Sequence, residues 1–410
     1  MYIRATSKVV SSAESVGNKK MTEINLTAVN HSLLRKQHLA DNSKTDNVVQ
    51  IVKDVCGLHA TIPKTPYISL FSRAKNFTRN QLDAELYEKR SLGKIRCVRK
   101  TVYVLPKEMI PIAYSATNMS VELASERYSR YLGVTQKEYT KLSQRILRLL
   151  KSGGMTAKEI KNELMTDLNV SAVLNLMCDQ GLLIRGNPRA GWKSSLHTYY
   201  LFHDYFPDLN LNEPSEDRAV ELLVLSYLSS FGPVTENDIT WWTGLNKTAI
   251  QGALKKLGEQ IASAKIDGFE GAFLLLQLDM ALKKASAPEN RVVNLLPALD
   301  SYIMGYKERE RFLSHQHYDK VFDRSGNATS TILLDGKVVG VWDFTADKKP
   351  VVNFLIFEQL ENSVLTEIYS KAQKIGKFIT DKEVEVKECD SMLPLTRRTA
   401  GGFMSPLKNC

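Results

Sequence analysis

One pattern recurs along this chain and limits what it can fold into: a few short amphipathic helices, a glycine-marked turn, then a pair of strand-like segments. It is clearest between residues 138 and 202. EYTKLSQRILRLLK carries apolar residues at helical spacing, and Gly153-Gly154 end it. Thr156 precedes AKEIKNELM with Glu159 three positions on, the two residues of a capping box. VSAVLNLMCDQG follows, with Gly181 where a helix terminates in a left-handed residue. LLIRG and SLHTYYLF then read as strands on either side of NPRAGWKS. Helices followed by a hairpin in this order make a winged helix-turn-helix whose wing is LLIRGNPRAGWKSSLHTYYL.

The same order appears twice more. Upstream, helical patterns in INLTAVNHSLLRKQHL, from Asp46 to Leu58, from Tyr67 to Phe77 and over 78–92 lead into strand-like IRCVRKTVYVLP, with a break at Pro63 and Pro66. Downstream of DLNLNEPSE come a helix over 216–231, ENDITWWTGL capped by Thr235, KTAIQGALKKLG capped by Asn246, and the strands IASAKI and AFLLLQL. From about residue 288 the texture turns to strands, with Asp335-Gly336 a hairpin turn, followed by the helix SVLTEIYSKAQKIGKFI. The expected fold class is α+β: three tandem winged-helix modules plus a small C-terminal β-barrel-like domain. The expected boundaries are a tail over 1–20, modules over 21–135, 136–207 and 208–286, a β-rich domain over 287–392 and a tail over 393–410.

Composition narrows the function. The 410 residues hold 55 Lys+Arg against 45 Asp+Glu, a net charge of +10. A nucleic acid is the partner such a balance points to. No apolar run is long enough to span a membrane, and the Ser-rich opening reads as an unstructured tail before Met21. Cys56, Cys97, Cys178, Cys389 and Cys410 are an odd set without CxxC spacing, so neither a disulfide framework nor a zinc site is expected, and a reducing, cytoplasmic, nucleoid-associated setting is. His315 and His317 have no carboxylate or cysteine to complete a ligand set, so no metal or organic cofactor is expected. Without a heptad seam, the chain reads as a monomer.

Each candidate site residue has a functional and a plain reading. Arg96, Arg99 and Lys100, in the basic stretch Glu88 to Lys107, would contact phosphates from a hairpin or merely protect a charged strand edge. In the wing, Arg185, Arg189, Trp192 and Lys193 would grip DNA, with Trp192 stacking on a base or sugar or anchoring the loop. Trp241 and Trp242 are read as core and helix-packing residues rather than a base platform, since adjacent helical positions diverge. Asp300, in LLPALDSY, is either a turn cap or a charge held near a reacting centre. His59 and Thr61 stand two apart in an irregular segment, so both side chains could face the same way, an imidazole of pKa ~6.5 beside a hydroxyl able to polarise a water. The plain reading is a helix-terminal histidine beside a turn-capping threonine.

Five segments carry a resemblance: GLHATIPKTPYISLFSRAKNF, VRKTVYVLP, FGPVTENDITWWTGL, LLPALDSYIMGYKERERFL and LLDGKVVGVW. In content and order they look like the AlkZ-type winged-helix DNA glycosylases, over roughly residues 24–357. The resemblance implies three winged helices and a small β-barrel around a DNA channel, and an enzyme that hydrolyses the N-glycosidic bond of bulky alkylated purines, crosslinked ones included, without a cofactor. The family's catalytic signature is Gln-x-Gln or Gln-x-Asp directly after Gly-Leu. Here Gly57-Leu58 are followed by His59-Ala60-Thr61, so the resemblance places His59 and Thr61 at the site and replaces amide and carboxylate by imidazole and hydroxyl. It implies a monofunctional glycosylase on double-stranded DNA with modified purines. A non-catalytic DNA-binding regulator or lesion sensor on the same scaffold is the alternative.

Overall fold

The computed structural model describes residues 22–284, 291–346, 349–397 and 407–408. The tail expected over 1–20 lies outside them, as do residues 398–406, 409 and 410 of the tail expected over 393–410. The central segment forms in the expected order. A Thr135/Glu138 capping box starts helix Gln136–Leu149, the Thr156/Glu159 box starts Ala157–Leu164, and Asn169 caps Val170–Asp179. Gly181 takes φ +69°, and strands Leu183–Pro188 and His197–Leu201 pair antiparallel, with Met155–Thr156 added to the second of them. Ile146, Ile160, Val173, Met177 and Leu183 pack with their neighbours as a separate small core.

In the N-terminal part the structure departs from the reading at one decisive point. Helix Val48–Asp54 stops short of Leu58, because Cys56 (φ +54°) and Gly57 (φ +94°) reverse the chain into strand Leu58–His59. A Cβ on Gly57 would sit 2.5 Å from Leu105 Cδ2, so close packing as well as φ demands glycine there. Strand Val102–Pro106 lies between Leu58–His59 and Leu92–Arg96 in a three-stranded antiparallel sheet. The longest helix, Met109–Tyr131, is absent from the sequence reading. Its buried positions include Ala113, Ala116, Thr117, Ser125 and Ser129, small or hydroxylic residues that let neighbouring helices approach but leave no apolar stripe to read. It packs against Glu216–Phe231 and Val170–Asp179.

Glu216–Phe231, Glu236–Thr243 and Lys247–Leu257 follow, with strands Ile261–Ile266 and Phe273–Leu276, and Thr22–Ile24 joins Ile261–Ile266 in parallel. One continuous core runs from Ile24 through Val224, Trp242 and Tyr306 to Leu355. The expected barrel is replaced by an open sheet among the described residues. Val293–Leu296, Thr331–Leu334, Lys337–Thr345 and Val351–Ile356 pair antiparallel, and Glu385–Glu388 adds in parallel at the far edge. The parallel return needs a crossover, and helix Asn362–Thr380 supplies it while covering one face, so the sheet is sealed by a helix rather than by closing on itself. Asp335 (φ +50°) and Gly336 (φ +82°) form the expected hairpin turn. Cys56, Cys97 and Cys178 are free, whereas Cys389 is disulfide-bonded, against the expectation of a reduced set. Among the described residues no helix is long and apolar enough to cross a membrane.

A fully buried ion pair joins the N-terminal helices to the turn that follows the first strand of the C-terminal sheet. Arg73 donates to both carboxylate oxygens of Asp300, at 2.8 and 2.7 Å, and both side chains are fully buried. Ser69 Oγ donates to the same carboxylate at 2.7 Å, and Tyr302 N at 3.0 Å, so Asp300 also caps helix Ser301–Met304. This corrects one of its two readings: a carboxylate with four such donors and no solvent contact is a structural strut, not a charge beside a reacting centre. Removing either partner leaves a buried unpaired charge, so Arg73→Ala or Asp300→Ala should destabilise by about 3–5 kcal/mol in urea denaturation. The apolar double replacement Arg73→Met/Asp300→Leu should be milder than either single; a double variant as damaged as the singles would contradict this account.

Candidate active site at the edge of the N-terminal sheet

Strand register decides where the two candidate side chains go. Leu58 opposes Val104 and faces the core of the first helices, so His59, opposite Tyr103, points to the other face. There its ring lies 5.2 Å from the Tyr103 ring and is only 4% exposed. Ala60 N still bonds Val102 O at 2.7 Å, and the chain leaves the sheet at Thr61, which is exposed. The two side chains therefore do not open together, correcting the expectation from spacing: the imidazole lies beneath and the hydroxyl faces solvent. Thr61 N donates to His59 Nδ1 at 3.4 Å, which leaves the proton of the neutral ring on Nε2. Burial, and then the charge of Arg99, push the His59 pKa down to about 3 rather than the ordinary ~6.5. The ring is neutral at any working pH.

The basic hairpin divides into two kinds of cation. Arg96 is held between Asp179 (2.7 Å) and Ser125 (2.5 Å) and bonds Lys100 O at 2.9 Å, tying the hairpin to helices Val170–Asp179 and Met109–Tyr131. Its charge is matched inside the fold, so the phosphate reading of Arg96 is replaced by a structural one. Lys94 is likewise turned inward onto Tyr87 Oη at 2.5 Å, and burial pushes its pKa down to about 8. Lys100 is exposed, and Arg99 lies half-buried with its guanidinium 3.8 Å from the Trp241 ring centre.

The wing reaches back to the first helices. Trp192 packs against Tyr67 (5.1 Å) and Phe378 (5.8 Å) beneath Arg79, which resolves its two readings in favour of the anchor. Lys193 and Arg189 remain exposed, the latter only loosely paired with Glu159 at 3.9 Å. Arg185 is corrected: it is buried and donates to Asn175 Oδ1 at 2.8 Å, so it cannot meet a phosphate without opening the module.

Lys64 and Arg309 escape sequence reasoning, and Trp241 is assigned there to packing alone. Lys64, three positions after Thr61, is half-buried, and burial together with the charge of Lys193 lowers its pKa. Trp241 carries Arg99, while Arg309 lies 5.2 Å from the same indole. A signal for Trp241 did exist, because two adjacent tryptophans on one helix cannot both enter the core. Trp242 does, against Tyr227 at 4.9 Å, and Trp241 is left facing the hairpin.

Comparison with known proteins agrees with this architecture. A model of the family DNA glycosylase AlkZ-like matches residues 52–378. The interstrand DNA cross-link repair glycosylase of Streptomyces sahachiroi is 25% identical over 327 residues, covering 76% of this chain and 85% of that protein. The solved structure of Streptomyces sahachiroi DNA glycosylase AlkZ shares the fold, with a TM-score of 0.71 at 20% identity over 90% of this chain and 100% of that one.

The buried imidazole gives a direct test. In nitrogen-resolved NMR, the His59 ring should show a protonated Nε2 and a bare Nδ1, unchanged from pH 8 to pH 5. An inflection near pH 6.5 would mean the ring is open to water and the site is built differently.

Proposed function

The chain belongs to the DNA glycosylase AlkZ-like family, and we propose that it is a monofunctional glycosylase that releases alkylated or otherwise bulky purines from duplex DNA, on a scaffold of three tandem winged helices. The observation that carries this reading is the exposed Thr61 hydroxyl, at the strand end that follows Gly57-Leu58, backed by a neutral imidazole that feels the charge of Arg99. The relative from Streptomyces is named for interstrand cross-link repair, and crosslinked purines fall within the substrate class proposed.

The chemistry asks little of the protein. An alkylated purine is cationic, so it departs as a neutral base with the electron pair of the glycosidic bond and leaves an oxocarbenium-like sugar. Water then adds to that cation, and the proton it sheds passes to solvent. Thr61 Oγ can accept a hydrogen bond from this water and fix its direction, without deprotonating it. His59 acts beneath it as a positioning residue through the Thr61 N–H. Its low pKa serves the reaction: a protonated ring here would repel the sugar cation, and neutrality removes that cost. Because the folded pKa is about 3, protonation threatens activity only at strongly acid pH, and release should show no inflection near pH 6.5.

Lys100, Lys193 and Arg189 supply phosphate contacts in this reading. With about six phosphates neutralised, the log–log slope of affinity against salt should be near −5. Lys100→Ala and Lys193→Ala should each reduce that slope by about 1, whereas Arg185→Ala should lower stability and leave the slope alone. A flat salt response would remove both the enzyme and the DNA-sensor reading.

Catalysis is tested with duplex DNA containing 7-methylguanine, scoring abasic sites. Thr61→Ala should slow release at least tenfold while duplex affinity stays within tenfold, about 1.4 kcal/mol. Thr61→Asp, which restores a carboxylate able to stabilise the sugar cation, should accelerate it. One observation favours the sensor instead: neither His59 nor Thr61 carries negative charge. Tight, lesion-selective binding with no release by the unaltered protein would establish that alternative, and release persisting in His59→Ala/Thr61→Ala would move the chemistry elsewhere.

A further inference from the structure

The guanidinium of Arg99 is half-buried, lies against the Trp241 indole at 3.8 Å, and makes no hydrogen bond or ion pair among the described residues. Such a stack occupies the flat face of an arginine and leaves its in-plane N–H donors free. Arg309 shares the same indole at 5.2 Å but is engaged through all three of its nitrogens: they donate to Tyr306 O (3.2 Å), Gly326 O (3.1 Å) and Tyr318 Oη (2.5 Å), and it covers the Phe322 ring at 3.5 Å. Two cations therefore lie about one aromatic ring, and Arg99 is the one whose nitrogens make no hydrogen bond among the described residues.

The backbone beneath Arg99 is held under strain. Arg99 (φ +51°) and Lys100 (φ +59°) are consecutive non-glycine residues in the left-handed region, the pair of positive φ values that a two-residue hairpin turn requires and that non-glycine residues adopt at a cost. Thr101 N bonds Val98 O at 3.1 Å and Cys97 N bonds Thr101 O at 3.0 Å to close this turn, and the end of helix Glu236–Thr243 packs against it. Its C-cap, Gly244 (φ +73°), approaches so closely that a Cβ there would sit 3.3 Å from Arg99 N. Trp241 and Gly244 thus grip the side chain and the backbone of Arg99 from one helix end.

We propose that Arg99, held flat by Trp241, is a bidentate clamp for one backbone phosphodiester beside the nucleotide that faces Thr61, with Trp241 and Gly244 as its positioning residues. This deepens the glycosylase reading and rests on it for which nucleotide is addressed. A free guanidinium edge matches the two oxygens of a phosphate, and an anion is favoured there over a neutral base edge because the cation is partly desolvated. Exposed Lys100 beside it adds to the attraction for a polyanion.

The test uses duplexes carrying a single neutral methylphosphonate at successive positions around a 7-methylguanine. The unaltered protein should lose about tenfold in affinity at one position and little elsewhere. Arg99→Lys, which keeps the charge but not the fork, and Trp241→Leu should become insensitive at that position, and Trp241→Phe should retain the loss. Should Trp241→Leu fail to fold, Arg99→Lys and Trp241→Phe carry the comparison. Uniform sensitivity at all positions, or an Arg99→Lys variant with the unaltered pattern, would overturn the clamp. The two proposals fail separately: a position-specific loss without base release leaves the clamp and removes catalysis, and normal release with a uniform pattern does the reverse.

Discussion

The buried pair between Arg73 and Asp300 holds the site together as well as the fold. Charges with no solvent contact are stable only when matched in geometry and hydrogen bonding, so this pair fixes helix Thr65–Arg73 against the turn before Ser301–Met304. Two further bonds use that alignment. Thr65 Oγ1 donates to Ala298 O at 2.8 Å, and Ser301 Oγ donates to Gly57 O at 2.9 Å. The second bond pins the residue whose φ turns the chain into strand Leu58–His59. The segments GLHAT and LLPALDSY, far apart in the chain, are thereby two halves of one device, in which the C-terminal sheet sets the position of His59 and Thr61.

Charge follows the same logic across the rest of the molecule. The sequence presents Arg96, Arg99, Lys100, Arg185, Arg189 and Lys193 as equivalent cations. Burial sorts them. Arg96 and Arg185 are drawn inside with Asp179 and Asn175 as partners and stiffen the junctions between elements. Lys100, Arg189 and Lys193 keep their charge at the surface. Arg99 stands between these conditions, partly desolvated and without a hydrogen bond or ion pair among the described residues, with Asp323 acting on it only through space, and a charge in that state gains from an incoming anion.

The low pKa of His59 arises from the same balance. A spacing of two suggested a pair of side chains opening together from an extended backbone. In the fold the strand continues through His59 and ends only at Thr61, so the pleat buries one residue and the end of pairing exposes the other. An imidazole placed there is a neutral prop for the loop rather than a group that exchanges protons with water.

The sequence alone determined the local elements wherever periodicity, capping and turn chemistry agree. The box at Thr156/Glu159, the cap at Thr235, the left-handed Gly181 and the Asp335-Gly336 hairpin all form as residue chemistry dictates. It also carried the likeness to a glycosylase family in five short segments. It could not reveal helix Met109–Tyr131, whose small buried residues leave no apolar stripe, nor the open sheet, whose closure depends on a helix crossing over it. Only the tertiary structure decided which cations stay free, which of His59 and Thr61 meets solvent, and that Trp241 faces Arg99. Those outcomes depend on desolvation and on partners distant in the chain, and neither is encoded by neighbouring residues.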